Sequence, residues 1–136
     1  MRIIALVAWS ATAIAGLRLF WSWLAAGGIR QQAIKVTRFP AVLVLAHPAC
    51  ALTGLGYWAA YVVTHRLVDA WTAFGVLCGS VLLGFALLTR WLTGQGGRHA
   101  RGGERRLPTY AVVLHVSGAI ATFVLVLITA TIASRR

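Results

Sequence analysis

The sequence predicts an all-α integral membrane protein: four transmembrane helices in an up-down bundle, built from two tandem two-helix repeats. Three observations lead there. Sixty per cent of the 136 residues are hydrophobic and 11% are charged, against about 45–50% and about 25% in an ordinary soluble domain. Mean hydropathy is +0.81. Four apolar stretches, residues 3–26, 40–64, 68–88 and 108–133, are each long enough for a hydrocarbon core of about 30 Å, which takes roughly 20 helical residues. Finally, residues half the chain length apart resemble one another, which makes repeat one 1–68 and repeat two 69–136 of a single membrane domain.

The first span follows Met1-Arg2 and contains Ala11-Thr12-Ala13, a start that imitates a signal peptide. Its apolar pattern runs on past that point, so a retained helix is expected. Gly27-Gly28-Ile29-Arg30-Gln31-Gln32 closes it. Pro40 opens the second span, at a helix position where the missing N–H costs nothing. Thr64-His65-Arg66 leaves room only for a short turn before the third. A basic glycine-rich loop from Gly94-Gln95-Gly96-Gly97-Arg98 precedes Pro108, which opens the fourth. Trp9, Trp21, Trp23, Trp58, Trp71 and Trp91 stand mostly near span ends and read as an aromatic belt. Gly75-x3-Gly79 reads as a helix-packing motif.

Net charge is +11, from 13 basic and 2 acidic residues. The bases lie between apolar runs, so they read as membrane topology, and no nucleic-acid partner is expected. Arg30, Lys35, Arg38, Arg90, Arg98, Arg101, Arg105 and Arg106 fall on one side; Arg2, Arg66, Arg135 and Arg136 fall on the other. The excess puts loops 27–39 and 89–107 in the cytoplasm and both termini outside, with the bacterial inner membrane as the expected location. Cys50 and Cys78 lie inside apolar stretches and read as small packing residues. There is no CxxC pattern, no acid pair, no Ser/His/Asp set and no phosphate loop.

Comparing the halves without gaps gives 12 identities in 68 pairs. Their placement matters more than their number. Arg38-x-Pro40-x6-His47-x3-Ala51 recurs as Arg106-x-Pro108-x6-His115-x3-Ala119. Gly16, Trp23 and Gly28 likewise match Gly84, Trp91 and Gly96. Each half holds an even number of spans, so a tandem copy keeps its orientation. The expected relation is a pseudo-two-fold axis along the membrane normal.

His47 and His115 each lie seven residues past their proline, roughly 10 Å along a helix. They are expected at one depth, on helices related by the axis. Ionisable groups within a span are costly and point to function. Two equivalent imidazoles facing each other suit the iron of one haem b, the porphyrin supplying the other four nitrogens. Cys50, Ala51 and Gly54 after His47, and Gly118, Ala119 and Thr122 after His115, offer small side chains for a porphyrin slot. Arg18, inside the first span, is a candidate partner for a haem propionate, and equally a candidate for snorkelling or for pairing with backbone carbonyls or a lipid phosphate. Arg38 and Arg106 are second candidates, with topology as their simpler role. Pro48 removes a backbone donor and frees the Val44 carbonyl as a possible acceptor for His47, while Ser117 stands beside His115. His65 is 18 residues past His47, but its repeat counterpart is Ala133, so it reads as an interfacial residue. His99 lies in the basic loop and carries no signal.

On the paired His47 and His115, the chain resembles a small four-helix membrane b-type cytochrome. The cytochrome b561 group and the membrane anchors of respiratory dehydrogenases are similar in outline. The first of these carries two haems on two histidine pairs, where this chain offers one pair. The resemblance implies electron transfer, with quinone or other membrane or redox subunits as exchange partners. Two other expectations compete with it: a cofactor-free structural or assembly subunit whose histidines bond neighbouring helices, and a small permease. The lack of a carboxylate inside the spans speaks against a proton-coupled permease.

Overall fold

The computed structural model describes residues 1–33, 39–94 and 107–135, and every regular element among them is helical. In order these are α1 (Arg2–Ala25), α2 (Gly28–Ala33), α3 (Ala41–Thr64), α4 (Leu67–Gly94) and α5 (Thr109–Ser134). Helices α1, α3, α4 and α5 are long and apolar enough to cross a membrane. The shortest of them, at 24 residues, rises about 36 Å.

Local chemistry sets the ends. After α1 the chain turns through Gly27 at φ 83°, a left-handed conformation that glycine adopts at no steric cost. The Gly28 backbone then packs so closely on the Trp23 indole that a Cβ there would overlap the ring. This contact folds the start of the first connection back as the short α2, where the sequence suggested only a loop. Pro40 and Pro108 are the N-caps of α3 and α5. α3 ends at His65 in the left-handed region, φ 59°. Two residues later α4 begins, and Asp69 in its first turn accepts the Thr64 hydroxyl at 2.9 Å. A carboxylate at that position also meets the positive end of the helix dipole.

α4 extends to Gly94, beyond the expected limit at residue 88. Thr89 and Arg90 interrupt the apolar pattern but not the backbone ladder. Trp91, only 8% exposed, carries the inward face one more turn.

Around the bundle the order is α1, α3, α4, α5, with α5 closing on α1. Consecutive spans are thus neighbours, as in an up-down bundle, and the tightest pairs are α3 with α4 and α1 with α5. Two buried clusters fill the interior. One, toward the α3–α4 turn, centres on Trp9, Trp58, Leu77 and Val126. The other, at the opposite end, joins Trp23, Phe39, Val44, Trp91 and Val112.

These clusters correct two expectations. Only Trp21 and Trp71 are exposed in the manner of a belt; Trp9, Trp23, Trp58 and Trp91 are core. Alanines and glycines around them (Ala5, Gly54, Ala70, Ala73) leave space that an indole fills. Gly75 and Gly79 are not packing glycines, since a Cβ on either would meet nothing within 4 Å. Large apolar side chains such as Ile14, Val42, Val63, Leu82 and Phe85 point outward instead. That is the pattern of a bundle whose outer solvent is lipid. Cys50 and Cys78 are free thiols, as their apolar setting suggests.

A paired-histidine candidate site

Between the two clusters, α3 and α5 bring His47 and His115 together. Their ring centroids are 6.0 Å apart and their planes are perpendicular. Each ring is anchored to a third or fourth helix. The Nδ1 of His47 lies 2.9 Å from the backbone carbonyl of Ser80 on α4. The Nδ1 of His115 lies 3.0 Å from the backbone carbonyl of Thr12 on α1. A carbonyl oxygen only accepts, so each Nδ1 carries a proton and donates it. In a neutral imidazole the Nε2 is then a lone pair. The Ser80 hydroxyl adds a contact to the His47 carbonyl at 3.3 Å.

Glycine one turn beyond each acceptor makes room for the ring. A Cβ on Gly84 would stand 2.8 Å from Cε1 of His47, and one on Gly16 would stand 2.6 Å from Cε1 of His115. Real Cβ atoms do not come this close, so any larger residue would displace the imidazole. Thr12 and Gly16 on α1 are four residues apart, as are Ser80 and Gly84 on α4. The spacing puts each acceptor and its glycine on one helix face.

The histidines border a cleft of about 540 Å³, whose wall includes Gly16, Gly84, Ala51 and Ala119. Cofactor and ligand pockets fall in a range of about 300–1,000 Å³. Trp23 and Trp91 also border the cleft. The indole Nε1 of each is buried without a hydrogen-bond partner. A buried donor left unpaired costs about 1–3 kcal/mol, so this end of the cleft holds two unmet donors.

The expected site residues divide. His47, His115, Ala51 and Ala119 come together at the cleft. Gly54 and Gly118 do not line it. Gly54 sits under the Trp9 ring and Gly118 under the Thr12 hydroxyl, where a Cβ would come within 2.9 and 2.7 Å respectively; both serve helix contact. Arg18 is on the exposed face of α1, while its neighbours Leu17 and Leu19 border the cleft. Arg38 and Arg106 lie outside the described residues, as does His99. The acceptor for His47 is the Ser80 carbonyl, not that of Val44, because its ring points across the bundle. Ser117 is exposed, and Thr12 supplies the bond to His115. His65 lies at the surface beside Arg2, 3.4 Å from its guanidinium.

Sequence reasoning passed over Thr12, Ser80, Trp23 and Trp91 as site residues. A signal was present in each case. Thr12 and Ser80 are half the chain apart, as are Trp23 and Trp91. Thr12, Gly16, Leu19 and Trp23 also follow i, i+4, i+7, i+11, one helix face, and Ser80, Gly84, Leu87 and Trp91 repeat it.

Comparison with protein-family models, with curated proteins and with solved structures gave no match.

Proposed function

We propose that His47 and His115 bind one haem b as its two axial ligands, and that the chain is an electron-transfer component in or beside a quinone-linked respiratory complex. The carrying observation is the state of the two rings: each Nδ1 is committed to a backbone carbonyl, which leaves both Nε2 atoms free, and the ring centres are 6.0 Å apart. Two bonds of about 2 Å from a first-row metal ion, with each nitrogen about 1 Å from its ring centre, separate the ring centres of a bis-imidazole site by roughly 6 Å. A carbonyl on the far nitrogen is also how proteins fix the tautomer of a ligating histidine and raise its basicity. No group of three or more His, Cys, Asp or Glu that could hold an ion occurs among the described residues. A two-ligand axial site therefore suits a metal that arrives with its own equatorial nitrogens.

Bound haem supplies reversible one-electron chemistry at iron. The chain's residues do the rest. Ser80 and Thr12 hold the imidazoles, Gly16 and Gly84 make room for them, and the apolar wall excludes water. The buried, unpartnered indole Nε1 atoms of Trp23 and Trp91 would be donors for the carboxylates of a haem edge.

The same residues support two related halves about a pseudo-two-fold axis. Thr12 and Ser80, Gly16 and Gly84, Trp23 and Trp91, and His47 and His115 stand in like roles half a chain apart. The lysine and arginine excess supports cytoplasmic α1–α3 and α4–α5 connections in a bacterial inner membrane. Quinone and further redox subunits are the exchange partners that follow from this reading.

One observation favours a cofactor-free structural subunit. Perpendicular rings make an edge-to-face contact, and each imidazole already has a backbone bond. The visible spectrum separates the two. Protein purified in mild detergent from haem-replete cells should show a Soret band and sharp α and β bands after dithionite. His47→Ala and His115→Ala should lose them while keeping helical circular dichroism. A colourless, folded wild-type protein sinks the haem reading.

A further inference from the structure

A second cavity, of about 560 Å³, opens at the end of the bundle that carries the α3–α4 turn. Arg2, Tyr61, His65 and Thr129 line it. Tyr61 is 14 residues past His47 on α3, about 21 Å along the axis, so the cavity is separate from the histidine pair.

Its lining carries the Arg2 guanidinium and, among the described residues, no carboxylate side chain. The Arg2 guanidinium lies 6.0 Å from the centre of the Tyr61 ring and 3.4 Å from the His65 Nε2. Asp69, the only carboxylate side chain among the described residues, is occupied by the Thr64 hydroxyl. Tyr61 is 3% exposed, and the Arg2 guanidinium lies over its ring. Thr129 is 5% exposed, and its hydroxyl is buried without a partner. A buried, unpaired hydroxyl at the wall of a cavity that also holds a guanidinium leaves its ligand chemistry unmet.

His65 adds a conformational observation. It holds φ 59°, where glycine would be the unstrained residue. The left-handed conformation is that of the C-cap of α3. Here it carries an imidazole to the cavity rim beside Arg2.

We propose that this cavity binds an anionic phosphate group, presented by the headgroup of a membrane phospholipid or free in solution. Arg2 supplies the charge. Tyr61 and Thr129 donate to phosphate oxygens, and His65 closes the rim. A phosphate oxygen accepts several bonds at once, which matches a guanidinium beside two hydroxyls.

Thermal unfolding of the full chain in detergent tests this, with phosphatidylglycerol, phosphatidylcholine or inorganic phosphate added in turn. Phosphatidylglycerol should raise the midpoint with saturation, and phosphatidylcholine should raise it less. If inorganic phosphate alone raises it equally, the source is the soluble anion and the site stands. Arg2→Gln should abolish the effect. Tyr61→Phe and Thr129→Val leave the charge untouched and should each weaken the apparent affinity about tenfold, the worth of one bond to a charged group. Attraction of anionic lipid to the basic surface as a whole would survive both substitutions. The proposal is overturned if Tyr61→Phe and Thr129→Val respond like wild type, or if no additive shifts the midpoint. None of these readouts involves the visible spectrum, so their failure is distinct from failure of the haem reading.

Discussion

Gly16 and the His115 ring touch across the α1–α5 interface, with room for a hydrogen on Gly16 and none for a methyl. A Cβ would stand 2.6 Å from Cε1 and 3.2 Å from Nδ1, the atom that donates to Thr12. Gly84 stands in the same relation to His47, at 2.8 Å and 3.3 Å. Gly16→Ala and Gly84→Ala should each cost about 1–3 kcal/mol, the usual penalty for overpacking. Both should also weaken or shift any haem spectrum. Gly75→Ala and Gly79→Ala fill open space and should gain up to about 1 kcal/mol from helix propensity. Thermal midpoints of the four variants check the ranking; a Gly16→Ala protein as stable as Gly75→Ala would contradict the seating described.

Gly54 and Trp9 offer a second test of close packing. A Cβ on Gly54 would lie 2.9 Å from two atoms of the Trp9 ring, and both residues are core. Gly54→Ala should destabilise by about 1–3 kcal/mol. Trp9→Phe leaves a smaller ring, so the double variant should lose less than the two single losses added. A coupling of about 0.5–3 kcal/mol is expected of residues in direct contact. Strict additivity in a double-mutant cycle would show that the contact is not the source of the cost.

Hydropathy alone carried the four spans, because burial in lipid demands apolar length and little else. The histidine pair was legible only through the half-chain offset, which turned two separate residues into one location. The Trp9 and Trp58 roles were not legible. An indole near a span end fits belt or core equally, and the choice depends on how the helix is rotated, which its neighbours decide. Gly54 resembled a slot residue for the same reason, since small residues at i+7 serve a porphyrin edge and an indole alike. Ser80 and Thr12 were hidden differently. Their working atom is a backbone carbonyl, which leaves no mark on residue type, and a Thr–Ser pair escapes a comparison of identities.

Thr12 and Thr122 join α1 to α5 through a hydroxyl pair at 3.2 Å. The Thr12 hydroxyl donates to the Ala8 carbonyl at 2.9 Å, so Thr122 is the donor between them. The two substitutions should therefore differ. Thr122→Val keeps the shape and leaves Thr12 bonded within its own helix, for a loss near the average of about 0.6 kcal/mol for such bonds in membrane bundles. Thr12→Val strands the Thr122 hydroxyl, which is 1% exposed, and should cost about 1–3 kcal/mol. Chemical or thermal unfolding of both variants in one detergent measures the difference. Equal losses would mean that the donor assignment is wrong.

The unpaired indoles of Trp23 and Trp91 give the haem proposal a test whose sign depends on occupancy. Trp→Phe at either position keeps an aromatic ring, removes the Nε1–H and shortens the side chain. The packing loss falls on the empty and the loaded protein alike, so the difference between them isolates the N–H. In the empty protein both groups are buried without partners, and removing one offsets part of the packing loss. In a haem-loaded protein the same group would donate to a carboxylate, a bond worth about 1.5–3 kcal/mol. Haem should then pass to a scavenging acceptor roughly ten to a hundred times faster from Trp23→Phe and Trp91→Phe than from wild type. The expected pair of results is faster haem loss with little change in the unfolding midpoint of the empty protein. Haem loss at the wild-type rate from both variants would remove the indoles from the site and leave the two histidines to hold the cofactor alone.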